Sequence, residues 1–245
     1  MLHFFRRKEL LCFLLLCTSF TVKAQFRIGI EGGFNKNYLV TNNANRAFTN
    51  YKPLYGFSIG VPVQYEIADW FSIAADPSFI QKNYRLERSD FYAGVYQDNT
   101  NSYLQLPLMG HFMFGGEKLK GFFNAGLFGG YWMSSHIKGR LANILDPVDD
   151  VTTSGSIFSY SNEYNYDEKY SFDKTKDNRF EAGWIGGAGI SYQVTDRYQV
   201  FAEARYLYGF TDQQKKYETN QVPRYNSTAG INIGLLVDLS GESYY

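Results

Sequence analysis

The sequence predicts an all-β protein: an eight-stranded antiparallel up-and-down transmembrane β-barrel with short periplasmic turns and long extracellular loops. Three observations predict it: a two-faced strand from Tyr55 to Ile67, connections that alternate between short and long, and an export signal at the start. In the first, every odd position is large and apolar: Tyr55, Phe57, Ile59, Val61, Val63, Tyr65 and Ile67. The intervening Gly56, Ser58, Gly60, Pro62, Gln64 and Glu66 are small or polar. Period-two alternation makes a strand with opposite faces. An apolar face bounded by tyrosines, backed by a weakly polar one, suits lipid outside and a polar lumen inside.

Seven further segments follow the same parity. Phe26–Phe34 sends Phe26, Ile28, Ile30 and Phe34 to one face, Arg27 and Glu31 to the other. Trp70–Ile80 places Phe71, Ile73, Ala75 and Phe79 outward, with Ser72, Asp76 and Ser78 inward. Tyr103–Phe114 alternates Leu104, Leu106, Leu108, Phe112 and Phe114 with Gln105, Pro107, Met109 and His111. Gly121–Met133 fits less cleanly, because Phe128 and Trp132 fall on its inner face. Arg179–Val194 points Phe180, Ala182, Trp184, Ala188, Ile190, Tyr192 and Val194 to lipid. Tyr198–Phe210 sends its even positions outward and Gln199, Glu203 and Arg205 inward. Tyr225–Leu239 sets Ile231, Ile233, Leu235, Val237 and Leu239 against Asn226, Thr228, Gly230, Asn232 and Asp238.

The connections Ala68-Asp69, Gly115–Lys120 and Thr195–Arg197 are short. Those over Asn35–Lys52, Gln81–Ser102, Ser134–Asn178 and Thr211–Arg224 are long. Outer-membrane barrels have this asymmetry, which puts both termini in the periplasm. Glycines 32, 56, 60, 126, 183, 187, 189, 230 and 234 lie on or near inner faces, where a narrow barrel needs small side chains.

The start of the chain gives the address. Arg6, Arg7 and Lys8 precede the apolar run Leu10–Phe20 and then Val22-Lys23-Ala24. That is the pattern of a secretory signal peptide over residues 1–24, cleaved between Ala24 and Gln25, with the barrel domain over 25–245. The run is too short to span ~30 Å of hydrocarbon as a helix. A lipoprotein signal at Cys17 is disfavoured by the bulky Leu16 before it. Cleavage removes Cys12 and Cys17, so no thiol, disulfide or cysteine metal site is expected. The full chain balances 24 Lys and Arg against 24 Asp and Glu. Cleavage takes four basic residues and Glu9, leaving the remainder about three charges negative, with no basic field for nucleic acid. An exported chain of two-faced strands without a later apolar helix is expected in the outer membrane of a diderm bacterium.

Phe71-Ser72-Ile73 running into Gln81-Lys82, then Tyr103-Leu104-Gln105-Leu106-Pro107-Leu108, resembles the PorT-like outer-membrane β-barrel proteins of Bacteroidetes. Glu203-Ala204-Arg205-Tyr206 and Tyr208-Gly209 are similar to that family's penultimate strand, and the resemblance spans roughly residues 26–239. It implies a small eight-stranded barrel in the outer membrane and, through its founding member, an association with a secretion system. The chain departs from the pattern in which a last strand closes on a terminal aromatic. Leu239 is followed by Ser-Gly-Glu-Ser and Tyr244-Tyr245.

Eight strands leave room for side chains alone, so a diffusion pore is not expected. Inward Arg179, Glu181, Glu203 and Arg205, with His111, form a candidate lumenal polar network whose charges pair as a structural plug. A proton or ligand site is the rival reading of the same residues. His136 beside Ser134 and Ser135 invites comparison with lipid A hydrolases, but adjacency does not build a catalytic triad. No catalytic, cofactor-binding or metal residues are therefore assigned, and no cofactor is expected. The loop Ser134–Asn178 carries acidic residues and the aromatics Tyr160, Tyr164, Tyr166 and Tyr170, candidates for surface recognition. It reads as a hairpin extending strands five and six or as a solvated loop. Carboxylates bridged by Ca²⁺ to lipopolysaccharide are a third reading, without EF-hand spacing. The expected function is a non-enzymatic outer-membrane scaffold or surface-interaction protein. Alternatives are a secretion-system accessory, a lipid A-modifying enzyme and a narrow conduit. Expected partners are outer-membrane lipids, lipopolysaccharide and envelope or secretion-system proteins, with a monomeric barrel.

Overall fold

In the computed structural model, residues 26–41, 48–90, 93–142, 163–219 and 221–239 are described. The expected signal peptide over 1–24 and Tyr244-Tyr245 lie outside them. The strands are β1 (Phe26–Thr41), β2 (Thr49–Gly60), β3 (Val63–Ala68), β4 (Phe71–Ala75), β5 (Ser78–Gln81) and β6 (Tyr84–Arg88). They continue as β7 (Tyr96–Gly115), β8 (Leu119–Ala142), β9 (Glu163–Lys169), β10 (Phe180–Gln193), β11 (Tyr198–Gly209) and β12 (Arg224–Asp238). No helix among the described residues is long and apolar enough to cross a membrane.

These segments make eight staves. β2 with β3 is one stave, and β4, β5 and β6 together are another. β7, β8, β10, β11 and β12 follow, and β12 returns to β1 in antiparallel register from Arg27↔Asp238 to Thr41↔Arg224. The interruptions sit at Val61-Pro62, Asp76-Pro77 and Lys82-Asn83. Proline removes a donor, yet the ladder is kept. Pro62 and Pro77 carbonyls accept from Gly29 and Val61 (2.9 and 3.0 Å), and Lys82 N–H donates to Asn101 O (2.9 Å).

Inside and outside follow parity. Tyr55, Phe57, Ile59, Val61 and Tyr65 are uncovered by protein, as are Ile30, Phe34, Leu104, Leu106, Leu108, Ile231 and Ile233. Arg27, Glu31, Ser58, Gln64, Gln105, His111, Glu203 and Asn232 are buried. Phe128 and Trp132 do face inward, as their parity states, because they are the lumen's packing material. The Tyr103–Trp132 register skips Met133, a bulge that resets the parity of the upper part of β8.

The long connections are shorter than the sequence indicates. β1 continues to Thr41 and β2 starts at Thr49, inside the expected loop 35–52. β6 and the start of β7 occupy most of 81–102, and β8 and β9 take up parts of 134–178. Above the apolar band both strand faces meet water or polar neighbours, so alternation fades there while pairing persists. At the other end the turns are tight, and Gly115 takes φ +123°, which a side chain would strain.

Backbones approach closely inside. A Cβ on Gly126 would lie 2.0 Å from Leu108 O and 2.7 Å from Met109 Cα. Gly126→Leu is therefore expected to cost about 1–3 kcal/mol or more. Its heat-modifiable folded band should shrink, whereas Gly116→Ala, with its nearest neighbour at 3.8 Å, should fold like the parent.

Candidate functional site: a filled lumen and a raised hairpin

The lumen is built around Arg205 on β11. Its Nη1 donates to Glu31 Oε1 (2.9 Å) and Asp76 Oδ2 (2.6 Å), and its Nη2 donates to Glu31 Oε2 (3.1 Å) and Glu203 Oε2 (2.6 Å). Every partner is buried. Alternation places Glu203 and Arg205 on one face of β11, and ring closure brings Glu31 on β1 and Asp76 after β4 to meet them. Asn124 Nδ2 donates to Glu203 Oε1 (2.8 Å), so its Oδ1 faces His111 Nδ1 (2.6 Å). That arrangement puts the imidazole proton on Nδ1. Asn232 donates through Nδ2 to Glu31 Oε1 (3.0 Å) and accepts at Oδ1 from Ser58 Oγ (3.2 Å). Charge-assisted bonds in this number hold charges that would be prohibitive alone.

Nearer the long-loop end lies a second ion pair. Lys82 is 0% exposed, and its Nζ donates to Glu181 Oε2 at 2.6 Å. The ammonium sits 5.0 Å from the Tyr103 ring centroid and 4.6 Å from that of Phe128. Asn226 Nδ2 donates to Glu181 Oε1 (3.0 Å) and Tyr103 OH (3.3 Å). On the β4–β7–β8–β10–β11 side, Ala74, Met109, Phe128, Ile185 and Leu207 pack as an apolar cluster between the two ion-pair groups. Tyr103, Trp132 and Tyr170 then stack in parallel, with centroids 5.9 and 6.3 Å apart, and Phe172 meets Trp132 edge-on. A cavity of about 20 Å³ beside Arg205 has room for one water.

The residues expected to form one network separate into three places. Glu203, Arg205 and His111 share the Arg205 group, and Glu181 belongs to the Lys82 pair. Arg179 joins neither. Its Nε and Nη2 donate to the carbonyls of Trp132 and Met133 (2.9 and 3.0 Å), with the guanidinium over Tyr131 and Phe172. β10 starts only at Phe180, and Arg179 serves the β8 carbonyls just beyond that point. Sequence reasoning faced Glu31 and Asp76 inward without joining them to Arg205, and it placed Lys82 in a loop. The signal for Lys82 was its place just past a clean inner alternation of Ser78 and Ile80.

Above the mouth, β9 pairs with the upper part of β8, from His136↔Lys169 to Ala142↔Glu163. The hairpin extends strand five; residues 170–178 fold back over the mouth and do not prolong strand six. Their backbone ties to the 211–224 segment through Asn178 N to Gln213 O and Lys215 N to Lys176 O. Of the tyrosines expected to recognise a partner, Tyr164 is exposed and Tyr160 lies outside the described residues. Tyr166 OH donates to Gln97 Oε1 (3.0 Å), and Tyr170 OH donates to Asp177. Burial, then the neighbouring Asp177 charge, push the Tyr170 hydroxyl up to about 12, so it stays a donor. His136 Nε2 binds Asp167, which Lys138 also contacts (3.1 Å), while Ser135 is buried. No cluster of three or more metal-ligating side chains occurs among the described residues.

Residues 19–215 match the family described as outer membrane protein beta-barrel domain. The chain belongs to this family. No curated protein matches the sequence. Among solved structures, the outer membrane protein OprG from Pseudomonas aeruginosa is 12% identical, with TM-score 0.47, covering 88% of this chain and 96% of that one. Neisserial surface protein A is 14% identical, with TM-score 0.44 and coverages of 86% and 96%. Ail of Yersinia pestis, in complex with the heparin analogue sucrose octasulfate, is 15% identical, with TM-score 0.39 and coverages of 88% and 99%. This outer-membrane barrel has polar clusters around Arg205 and Lys82 within its lumen and a hairpin above it.

Two predictions follow from that geometry. Arg205→Met strands three buried carboxylates and should cost about 3–5 kcal/mol in urea unfolding from micelles; an unchanged midpoint would refute the pairing. The second concerns Asp167, whose carboxyl is held below its ordinary value by the His136 hydrogen bond first and Lys138 second. A depressed carboxyl stabilises above its unfolded pKa and loses that contribution as pH falls through its folded one. Amide exchange in β9 should therefore accelerate on acidification below the ordinary carboxylate range, ahead of β10 and β11. His136→Ala should produce the same loosening at neutral pH.

Proposed function

We propose that this protein is a non-enzymatic outer-membrane scaffold that presents the β8–β9 hairpin at the cell surface. The observation that carries it is the filled lumen: among the described residues, ion pairs, an apolar cluster and an aromatic stack fill it, and the cavity beside Arg205 has room for one water. A barrel so packed has no path for a solute, and what varies for function is its rim. In this reading the short turns and both termini face the periplasm after cleavage between Ala24 and Gln25. The long-loop end then stands among lipopolysaccharide headgroups. A cross-strand row of charges there, Lys52, Arg85, Asp98, Lys138 and Asp167, fits a wall that has left the hydrocarbon. Exposed Leu141 and Tyr164, paired across β8 and β9, supply the apolar contact for a protein partner.

The mature sequence is free of cysteine, which makes the orientation simple to test. In intact cells, Tyr164→Cys should react with a membrane-impermeant maleimide and Asp196→Cys should not. Reaction at Asp196→Cys alone would invert the reading. In planar bilayers the purified barrel should be silent, and steady single-channel steps would favour a conduit instead. The PorT-like reading, an accessory of a secretion system, shares the scaffold role. It requires that cross-linking through the hairpin capture components of such a machine, and that Tyr164→Asp abolish the capture.

A further inference from the structure

The outer wall changes chemistry at one height between β7 and β10. Leu104, Tyr131 and Phe180 form a cross-strand row, and all three are exposed. The next outward row of β7 and β8 is Ser102 opposite Ser134, and above it stand Thr100, His136 and Lys169. Apolar side chains give way to hydroxyls and then to charge, which marks the upper edge of the hydrocarbon.

The wall has a notch at that edge. β10 pairs with β8 no higher than Phe180↔Tyr131, and β9 takes over only at His136↔Lys169. Arg179 sits in the gap. Its Nε and Nη2 donate to the carbonyls of Trp132 and Met133, and its guanidinium lies 4.5 Å from the Tyr131 centroid and 4.3 Å from that of Phe172. Two carbonyls and two rings thus fix the plane of the cation. Nη1 and the second Nη2 proton are left over, a parallel pair of N–H groups of the kind that takes two oxygens of a phosphate.

Nearby cations on the outer wall are neutralised. Lys52 pairs with Glu87, Arg85 with Asp98, and Lys138 with Asp167, which His136 also binds. Arg179 and exposed Lys169 have no carboxylate partner among the described residues. The His136–Lys169 row stands three residues above Met133, roughly 10 Å along the strand. A lysine side chain and one phosphate group together close that distance. Two unneutralised cations directly above exposed Tyr131, Met133 and Phe180 suit a ligand with an anionic head and an apolar body. For a barrel in the outer membrane, the ligand at that height is a membrane lipid; a free anion has no use for the apolar wall below.

We propose that the notch between β9 and β10 binds a phosphate group of lipid A, with Arg179 taking two of its oxygens, Lys169 reaching a third from above, and the acyl chains lying on Tyr131, Met133 and Phe180. Naming lipid A rests on the outward orientation of the long-loop end proposed above. Binding in detergent does not depend on that orientation, so the two can fail separately.

The test is native mass spectrometry of the barrel in neutral detergent, titrated with lipid A carrying its phosphates and with the same lipid A after phosphatase treatment. The phosphorylated lipid should stay bound to the parent, and the treated one should be retained weakly and alike by all variants. Lys169→Gln lies at the exposed end of β9 and should weaken binding of the phosphorylated lipid about tenfold or more. Arg179→Lys keeps the charge and loses the fork, and it should weaken binding as well. Lys118→Gln removes a charge from the short turn between β7 and β8, at the opposite rim, and should bind like the parent. Heat-modifiable migration establishes that each variant is folded. Equal losses in Lys118→Gln and Lys169→Gln, or equal retention of both lipid forms by the parent, would overturn the site as unspecific attraction. Unchanged binding in Arg179→Lys would overturn the role of the fork. Displacement of the lipid by an equal concentration of inorganic phosphate would overturn the site in favour of one for a soluble anion.

Discussion

A strand in lipid has nowhere to send an unpaired N–H or C=O, and each one left bare costs several kcal/mol. The β1–β12 ladder is the answer to that constraint, and the rest of the structure depends on it. Once those edges join, the ring has eight staves and a fixed, narrow bore. Pro62 and Pro77, which would break an ordinary central strand, survive because their carbonyls still serve Gly29 and Val61. Close approaches such as Gly126 against Leu108 serve the same closure.

The narrow bore then dictates the interior. Side chains that point inward must fill it, and polar ones must satisfy one another because bulk water is displaced. Arg205 and Lys82 are two of the points where this is done with charge. Each draws carboxylates from staves distant in sequence, so the ion pairs tie together strands that the backbone ladder joins merely to their neighbours. The aromatic stack on Trp132 shuts the mouth with rings from β7, β8 and the returning segment after β9. With the inside committed to packing, what remains free to contact a partner is the rim.

The membrane-spanning half of the fold was legible because lipid on one side and a packed lumen on the other impose strict parity. Phe57 and Ile59 against Ser58, or Ile231 and Ile233 against Asn232, state their direction in the sequence itself. Beyond the hydrocarbon that contrast ends. Thr49 to Lys52 and Tyr96 to Thr100 are strands whose two faces are chemically alike, so they read as loops. The candidate site was legible in the same measure. Glu203, Arg205 and His111 point inward by parity, but their partners follow from ring closure, which no local pattern encodes. Arg179 shows the opposite failure: its parity is right for an inward residue, yet β10 has not begun there and its guanidinium turns to the carbonyls of β8. Lys82, at an interruption of its stave, escaped for want of any alternation around Asn83.

Closure itself can be observed directly. Phe34 and Ile231 face each other across β1 and β12, far apart in the chain and adjacent in the ring. With no cysteine after Cys17, a Phe34→Cys/Ile231→Cys pair can report their proximity by disulfide formation in native outer membranes. The account predicts an intramolecular cross-link that locks the ring, with Phe34→Cys/Ile233→Cys cross-linking poorly. Absence of the first cross-link, or preference for the second, would contradict a barrel closed in this register.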